Sequence, residues 1–366
     1  LATPGNASDF GDATVARGHI IGGCSNGTRG IAGGGNNAAG TRVNTIDYVT
    51  IATTGNAVDF GDLTTVKRFT HACGTTTRGV WGGGDSGTTL DIIDYVTMAT
   101  IGNATDFGNL SNGGRENAAA SASITRGVFA GGWNSSFAAT NTIDYITIAT
   151  TGDAQDFGDL AVAVAEDPAG ISDGTKGIFG GGKAFNGSAH PTTNIIQYVT
   201  MDTTGNALDF GDLTVARNRP GACNSDTRGL FGGGGGPASD VIDYITMAST
   251  GNATDFGNLA AAKYGTAGVS NTTRAVFGGG QDSTYSTVID YVTIDTTGNA
   301  ADFGDLTVGR YSPRGASDNS RGVFYTGDGN PITNTIDYIT IASTGNASDF
   351  GNAVTAMYGG GGCSGN

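Results

Sequence analysis

Short apolar runs alternate along the chain with clusters of Gly, Asn and Asp. Between about residues 69 and 110, for example, this pattern predicts four short strands, over about 69–74, 77–82 and 92–99 and around Phe107. β-Branched and aromatic residues fill the apolar runs, as is typical of strands, and the polar clusters between them are typical of turns. The pattern therefore predicts an all-β protein.

The third predicted strand is apolar on both of its alternating faces. It reads Ile-Ile-Asp-Tyr-Val-Thr-Met over residues 92–98. A strand that is apolar on both sides must be covered on both sides. Sheets stacked side by side around an axis supply that cover, whereas a flat sandwich would leave one polar face.

Three short motifs recur in a fixed order along the whole chain. Asp-Phe-Gly occurs eight times at a period of about 49 residues, with its Asp at 9, 59, 106, 156, 209, 255, 302 and 349. Between these copies lie a basic residue followed by an apolar run that ends in glycines, and then Ile-Asp-Tyr or a close variant. A fixed period of this size indicates a repeat architecture.

Seven complete copies of the inner two strands predict a single domain over 1–366, a closed seven-bladed β-propeller of four-stranded blades. The predicted blades cover about 13–62, 63–109, 110–159, 160–212, 213–258, 259–305 and 306–352. The terminal segments 1–12 and 353–366 resemble a surplus fourth strand and a surplus first strand. We expect these segments to close the ring, which would remove exposed sheet edges.

The repeat resembles the Kelch repeat in the order of its marker residues. Lys67 stands near the first strand, glycines follow Trp81 at the end of the second, Tyr95 lies in the third and Phe107 in the fourth. The fourth-strand aromatic is Phe rather than Trp, and the turn from the third to the fourth strand is longer than in that family. The repeat is also similar to Kelch-like segments in virion proteins of tailed phages, including those that infect marine cyanobacteria.

Charge and hydropathy restrict the partners that the chain can have. The formal net charge is −15. Phosphate binding needs a basic surface, so this charge argues against nucleic acid and against an anionic membrane surface. No stretch approaches the roughly 18 apolar residues of a spanning helix, and we therefore expect no membrane insertion.

The four cysteines occupy one register of the repeat. In other blades the position of Cys24, Cys73 and Cys223 holds Ser121, Ile171, Val269 and Ala316. A position shared by such residues predicts a small buried packing site rather than a disulfide framework. A bridge between Cys24 and Cys363 stays open as an alternative.

The sequence disfavours four kinds of chemistry. The Asp-rich turn lacks the ligand spacing of a calcium loop, and the Gly-rich turns lack the helix that follows a phosphate loop. Nearly every Asp repeats in register, whereas a glycosidase pair should break the repeat. His19, His71 and His190 fall in three blades and do not suggest a copper centre. We therefore predict no catalytic residue, no metal and no cofactor.

The loop from the second to the third strand varies most between blades, and in a propeller it shares one face with the connection from the fourth strand to the next first strand. Aromatic and basic residues in such loops are common anchors of recognition surfaces. We therefore predict a binding face suited to sugars or to an acidic protein surface. Its candidate residues are Trp133, Phe137, Phe185, His190 and Tyr285 in the first kind of loop, and Arg115, Arg219, Tyr311 and Arg314 in or beside the second.

One polar contact inside the blades is also predicted. Six blades combine an Arg opening the second strand with an Asp in the third, and only the fourth blade has Lys176 with Gln197. This joint change predicts that Arg29 contacts Asp47, and so on through the equivalent pairs, because a buried Asp needs a partner.

The function that follows is a non-enzymatic recognition or structural module that binds a protein or carbohydrate surface. The phage resemblance implies display on a virion appendage, a fibre or a surface decoration, with a virion or extracellular location, a host-surface receptor and other virion subunits as further partners. The alternatives are a cytoplasmic Kelch-type protein-interaction adaptor and a secreted carbohydrate-active enzyme.

Overall fold

The computed structural model describes residues 23–37, 39–53, 55–165, 168–184, 189–325, 327 and 333–357. These residues form seven four-stranded antiparallel sheets that are arranged as the blades of a β-propeller. No helix occurs in these ranges, and they therefore contain no helix that could cross a membrane. The predicted all-β, seven-bladed fold is confirmed.

Each blade takes its four strands in sequence order. Blades 1 to 3 comprise β1 (Gly23–Ser25), β2 (Arg29–Gly33), β3 (Thr45–Thr50) and β4 (Val58–Asp62); β5 (His71–Gly74), β6 (Arg78–Gly82), β7 (Ile92–Thr97) and β8 (Thr105–Asn109); and β10 (Ala119–Ala122), β11 (Arg126–Ala130), β13 (Thr142–Thr147) and β14 (Gln155–Asp159). Beside the third blade, β9 (Arg115–Glu116) and β12 (Trp133–Asn134) form a two-stranded ribbon.

The remaining four blades repeat this plan. They comprise β16 (Ala169–Ser172), β17 (Lys176–Gly180), β19 (Ile195–Thr200) and β20 (Leu208–Asp212); β21 (Gly221–Asn224), β22 (Arg228–Gly232), β23 (Ser239–Thr246) and β24 (Thr254–Lys263); β25 (Ala267–Ser270), β26 (Arg274–Gly278), β27 (Val288–Thr293) and β28 (Ala301–Asp305); and β29 (Arg314–Ser317), β30 (Arg321–Tyr325), β31 (Thr333–Thr340) and β32 (Ser348–Met357). A second ribbon pairs β15 (Val164–Ala165) with β18 (Lys183–Ala184). The first strands of adjacent blades contact one another, so they line the axis and the fourth strands lie outermost.

Two strands run past the predicted blade limits. β24 ends at Lys263 instead of 258, and β32 ends at Met357 instead of 352. Residues 353–357 therefore extend the fourth strand of blade 7, where a closing first strand was expected. Residues 1–12 and 358–366 lie outside the described ranges.

A repeated hydrogen bond joins every blade to the next and closes the ring. The basic residue that opens the second strand donates to a backbone carbonyl just after the third strand of the following blade. Its copies are Arg29 to Met98, Arg78 to Ile148, Arg126 to Met201, Lys176 to Met247, Arg228 to Ile294, Arg274 to Ile341 and Arg321 to Ile51, at 2.7 to 3.1 Å. The last member links blade 7 back to blade 1.

At five of the seven interfaces an aromatic residue of the second strand packs on a glycine of the preceding blade. A Cβ added at Gly82 would lie 2.9 Å from the ring of Phe129, and Gly180 and Phe231 repeat this arrangement. At the closing interface the two sizes are exchanged, since blade 1 has Ala32 in the aromatic position and blade 7 has Tyr325 in the glycine position. Tyr325 is buried in a cluster against which Ala32 packs.

The cysteine register is a buried packing position in all seven blades. Cys24, Cys73 and Cys223 are buried and form no disulfide within the described residues, and burial raises the pKa of Cys73 and of Cys223 to about 12. The Cys24 sulfur packs on Gly79 of the next blade, where an added Cβ would lie 2.3 Å from the sulfur. The side chain at this register therefore packs on a glycine of the following blade, as Cys24 does on Gly79. Cys363 lies outside the described residues.

The Asp-Phe-Gly motif is the place where the outer parts of neighbouring blades join. Gly251 donates its N–H to the Phe210 carbonyl at 2.7 Å, and Asn252 accepts from the Asp212 N–H through its side chain at 3.1 Å. Gly211 lies between these contacts with a φ of 142°. The same backbone contact recurs at all six interfaces from blades 1 and 2 to blades 6 and 7, so the repeat is uniform here.

We expect Gly211→Ala to destabilise the protein by about 1–3 kcal/mol from backbone strain alone, with a further loss from the close contact. The added Cβ would lie 2.4 Å from the Gly251 carbonyl oxygen. Gly251→Ala is the matched control, since its φ is 156° but no atom lies within 4 Å of an added Cβ. Urea unfolding followed by circular dichroism measures both losses. Equal losses would contradict the role given to the close contact.

A buried ion pair lies inside each of five blades, and it is not the predicted one. The third-strand Asp pairs with a basic residue of the connection that enters the same blade. The pairs are Lys67–Asp94 and Arg217–Asp243 at 2.7 Å, Lys263–Asp290 at 2.8 Å, Arg115–Asp144 and Arg310–Asp337. Burial lowers the pKa of Arg217 and raises the pKa of Asp243, while each partner's charge opposes the shift.

The predicted contact between this Asp and the residue that opens the second strand is wrong in these blades. The reason is the strand register. Arg78 lies across from Thr97, whereas Asp94 lies across from Trp81. Alternate residues of a strand point to opposite faces, so Arg78 shares its face with Tyr95 and not with Asp94. The Arg78 guanidinium lies 4.5 Å from the centre of the Tyr95 ring.

Candidate functional site

The loops from second to third strands and the connections from fourth to first strands meet at one end of the blades. They pair as short antiparallel bridges just beyond the sheets. The pairs are Arg68 with Asp85, Glu116 with Trp133, Asn218 with Gly235 and Tyr264 with Gln281. The backbone pairing is common to these blades, but the side chains differ at every pair.

The residue after each paired position of the connection has a left-handed backbone. The φ angles are 55° at Phe69, 54° at Asn117, 54° at Arg219, 66° at Gly265 and 50° at Ser312. Bulky residues rarely adopt this conformation, which costs about 1–3 kcal/mol where it is strained. A contact that recurs between these blades must therefore hold the backbone in this conformation.

The recurring contact is a backbone hydrogen bond between neighbouring blades, and these bonds together form a belt. The Asn117 N–H donates to the Phe69 carbonyl at 3.4 Å, Gly265 to Arg219 at 3.0 Å and Ser312 to Gly265 at 2.9 Å. We call the belt residues and the paired residues beside them the crown. Its described members are Arg68, Phe69, Asp85, Glu116, Asn117, Trp133, Asn218, Arg219, Gly235, Tyr264, Gly265, Gln281, Tyr311 and Ser312. The crown is a uniform frame that carries a different side chain at each step.

Asp85 holds two arginines together on one side of the crown. Its Oδ2 accepts from Arg42 Nη2 at 2.7 Å and from Arg68 Nε at 2.8 Å. Although burial acts to raise it, these bonds and one from the Gly87 N–H hold the pKa of Asp85 below its ordinary value. Asp85 is therefore a fixed negative charge that orients both guanidinium groups.

Glu116 stands next to this cluster as a buried carboxyl group. The side chain is 8% exposed, and no hydrogen bond or ion pair to it occurs within the ranges that the structure describes. Burial raises the pKa of Glu116 and the charge of Asp85 adds to the rise, while Arg68 and Arg42 oppose it. Trp133, its cross-strand partner, also contacts His190 edge to face at 4.6 Å between ring centres.

A second cluster lies on the opposite side of the crown. Arg219 Nη1 donates to the Tyr311 hydroxyl, and the Tyr311 and Tyr264 ring centres are 5.1 Å apart. Tyr264 donates its hydroxyl to Gln281 Oε1 at 3.2 Å. Arg219 and Arg314 also line a cavity of about 210 Å³ at the mouth of the central channel, together with His71.

The predicted binding residues thus fall into several groups. Trp133 meets His190, and Arg219 meets Tyr311 and shares the cavity with Arg314. Phe137 is exposed by itself at 73%, and Tyr285 is half-buried beside Gln281. Phe185 lies outside the described residues.

Arg115 does not belong to a binding surface, and this part of the prediction is corrected. Its side chain is 2% exposed and its guanidinium pairs with Asp144 and donates to the Thr142 carbonyl at 2.8 Å. Burial lowers the pKa of Arg115. It is the equivalent of Lys67 and Arg217, so it is a structural residue of the repeat.

Sequence reasoning missed Arg42, Arg68, Phe69, Glu116 and Tyr264. The signal was available in the two residues after the buried basic position, which read Arg-Phe, Glu-Asn, Asn-Arg, Tyr-Gly and Tyr-Ser in five blades. Variation at a fixed point of the repeat, rather than an aromatic in a polar loop, marks the crown. Among the described residues no group of three or more His, Cys, Asp or Glu could hold a metal ion.

Comparison with known proteins gives the fold and no family. No protein-family model matches the sequence, and no curated protein matches it. The chain is similar to a solved structure described as "Structure of YjhT", with 13% identity and a TM-score of 0.56. The match covers 71% of this chain and 90% of that chain. At this identity the likeness supports the propeller fold alone.

Proposed function

We propose that this chain is a non-enzymatic recognition module, displayed on a tailed-phage virion appendage, that binds a host-surface glycan or protein through the crown. The observation that carries the proposal is the contrast between the two ends of the blades. At the Asp-Phe-Gly end the same backbone contacts recur from blade to blade. At the crown a shared backbone presents Arg, Glu, Trp and Tyr side chains once or twice each, which suits specific recognition.

Attachment to cells tests this function. We expect labelled protein to bind a panel of cyanobacterial cells, and the variant Trp133→Ala with Tyr285→Ala to lose most of that binding while its melting temperature changes little. The matched control is Thr296→Ala, an exposed residue of a turn at the opposite end. Binding that is lost in the control and kept in the Trp133→Ala, Tyr285→Ala variant would overturn the assignment of the face. Cleavage of a bound glycan would overturn the non-enzymatic reading.

A further inference from the structure

Glu116 is 8% exposed as a residue, but its carboxyl oxygens are not among the buried polar atoms without a partner, so they reach the solvent. They offer an acceptor, or when protonated a donor, to a bound molecule. Glu116 is also one of only two glutamates in the chain, so it departs from the Asp chemistry of the repeat.

The groups around Glu116 offer donors and an apolar surface at short range. Arg42 donates Nε and Nη2 to Asp85, and Arg68 donates Nε. Within the described ranges the other guanidinium N–H groups of these two residues have no partner, and both side chains are about one quarter exposed, at 28% and 27%. Trp133 lies across from Glu116 in the ribbon, so its side chain projects from the same face.

Backbone contacts keep these groups in one place. The Asn117 N–H bonds to the Phe69 carbonyl, and this bond joins the residue after Glu116 to the residue after Arg68. Gly84, which precedes Asp85, donates to the Arg115 carbonyl at 2.8 Å. These bonds join the connections of blades 2 and 3, and the side chain of Arg42, from blade 1, is held to them through Asp85.

We infer that Glu116, Arg68, Arg42 and Trp133 form a binding subsite for one neutral sugar ring. The inference rests on the proposed function and names the ligand class of that surface. Hydroxyl groups both donate and accept hydrogen bonds, which matches arginine donors beside a carboxyl group. The indole provides an apolar surface for the C–H face of the ring. A small anion fits less well, because Asp85 and Glu116 balance the charges of the two arginines.

Tryptophan fluorescence tests the subsite directly. The chain has two tryptophans, and Trp81 is fully buried in a position that holds Phe in five other blades. Trp81→Phe therefore leaves Trp133 as the sole reporter. We expect one of the methyl glycosides of glucose, galactose, mannose and N-acetylglucosamine to change its emission saturably. In that background Glu116→Gln should weaken binding about tenfold, as should Arg68→Lys, because each loses hydrogen bonds with a charged partner.

Two results overturn the inference. One is the absence of a saturable response to all four glycosides, and the other is unchanged affinity in both Glu116→Gln and Arg68→Lys. Ile124→Ser, at an exposed site in the turn between first and second strands, is the matched control and should bind as the Trp81→Phe protein does. If the Trp133→Ala, Tyr285→Ala variant no longer binds the cells but no glycoside changes the tryptophan emission, the proposed function stands and the subsite fails. If the cells bind neither protein, the proposed function fails as well.

Discussion

Arg217→Ala is expected to lower the free energy of unfolding by about 3–5 kcal/mol, because it leaves a buried carboxylate without its partner. Arg217 and Asp243 are both fully buried, and their side chains meet at 2.7 Å. Asp243 would keep only the hydrogen bonds from Thr214, whose N–H and hydroxyl donate to it at 3.1 and 2.5 Å. Urea unfolding followed by circular dichroism measures the loss.

Blade 4 supplies a natural control for this experiment. There Gln197 replaces the Asp and Val164 replaces the basic residue. Gln197 accepts from the Val162 N–H at 3.0 Å and donates to the Val162 carbonyl at 3.2 Å, so a neutral pair of bonds replaces the ion pair. We therefore expect Arg217→Ala combined with Asp243→Gln to be more stable than Arg217→Ala alone. A double variant that loses as much as the single variant would contradict the charge argument.

The same blade explains why the sequence alone misidentified the ion pair. Blade 4 differs from the others at two positions that are Arg or Lys elsewhere, where it has Lys176 and Val164, and either change accompanies Gln197. Only strand register decides between them, and a shift of one residue moves a side chain to the other face of the sheet. The period of the repeat contains no information about that register.

The blade count, by contrast, follows from local features that the chain repeats seven times. The two-sided third strand requires cover on both sides, and the cysteine register holds only uncharged residues that can be buried, so both features follow from the sequence alone. The location of the variable loops at one end followed from the order of the strands. The variation in sequence marks the crown positions, but the belt could not be predicted in the same way, because backbone bonds between blades hold Phe69 and Arg219 in place.

The interface that closes the ring leads to the second large prediction. In blades 2 to 7 the fourth residue of the second strand is Trp or Phe, and in blades 1 to 6 the fifth is Gly or Ala. Blade 1 carries Ala32 where the aromatic belongs, and blade 7 carries Tyr325 where the small residue belongs. The Tyr325 side chain extends over Gly30, where an added Cβ would lie 2.3 Å from its hydroxyl oxygen. One large side chain therefore fills this interface from blade 7, whereas the other interfaces are filled from the following blade.

We expect Tyr325→Gly to cost about 3–5 kcal/mol through the cavity that it leaves, and Ala32→Phe to cost about 1–3 kcal/mol through overpacking against Tyr325. Combined, the two changes restore the arrangement of the other interfaces, and the double variant should recover most of the loss of Tyr325→Gly. The control is Ala32→Phe with Phe231→Gly, in which the two sites lie at different interfaces and the losses should add. Additive losses in the first double variant as well would show that Ala32 and Tyr325 do not share one space.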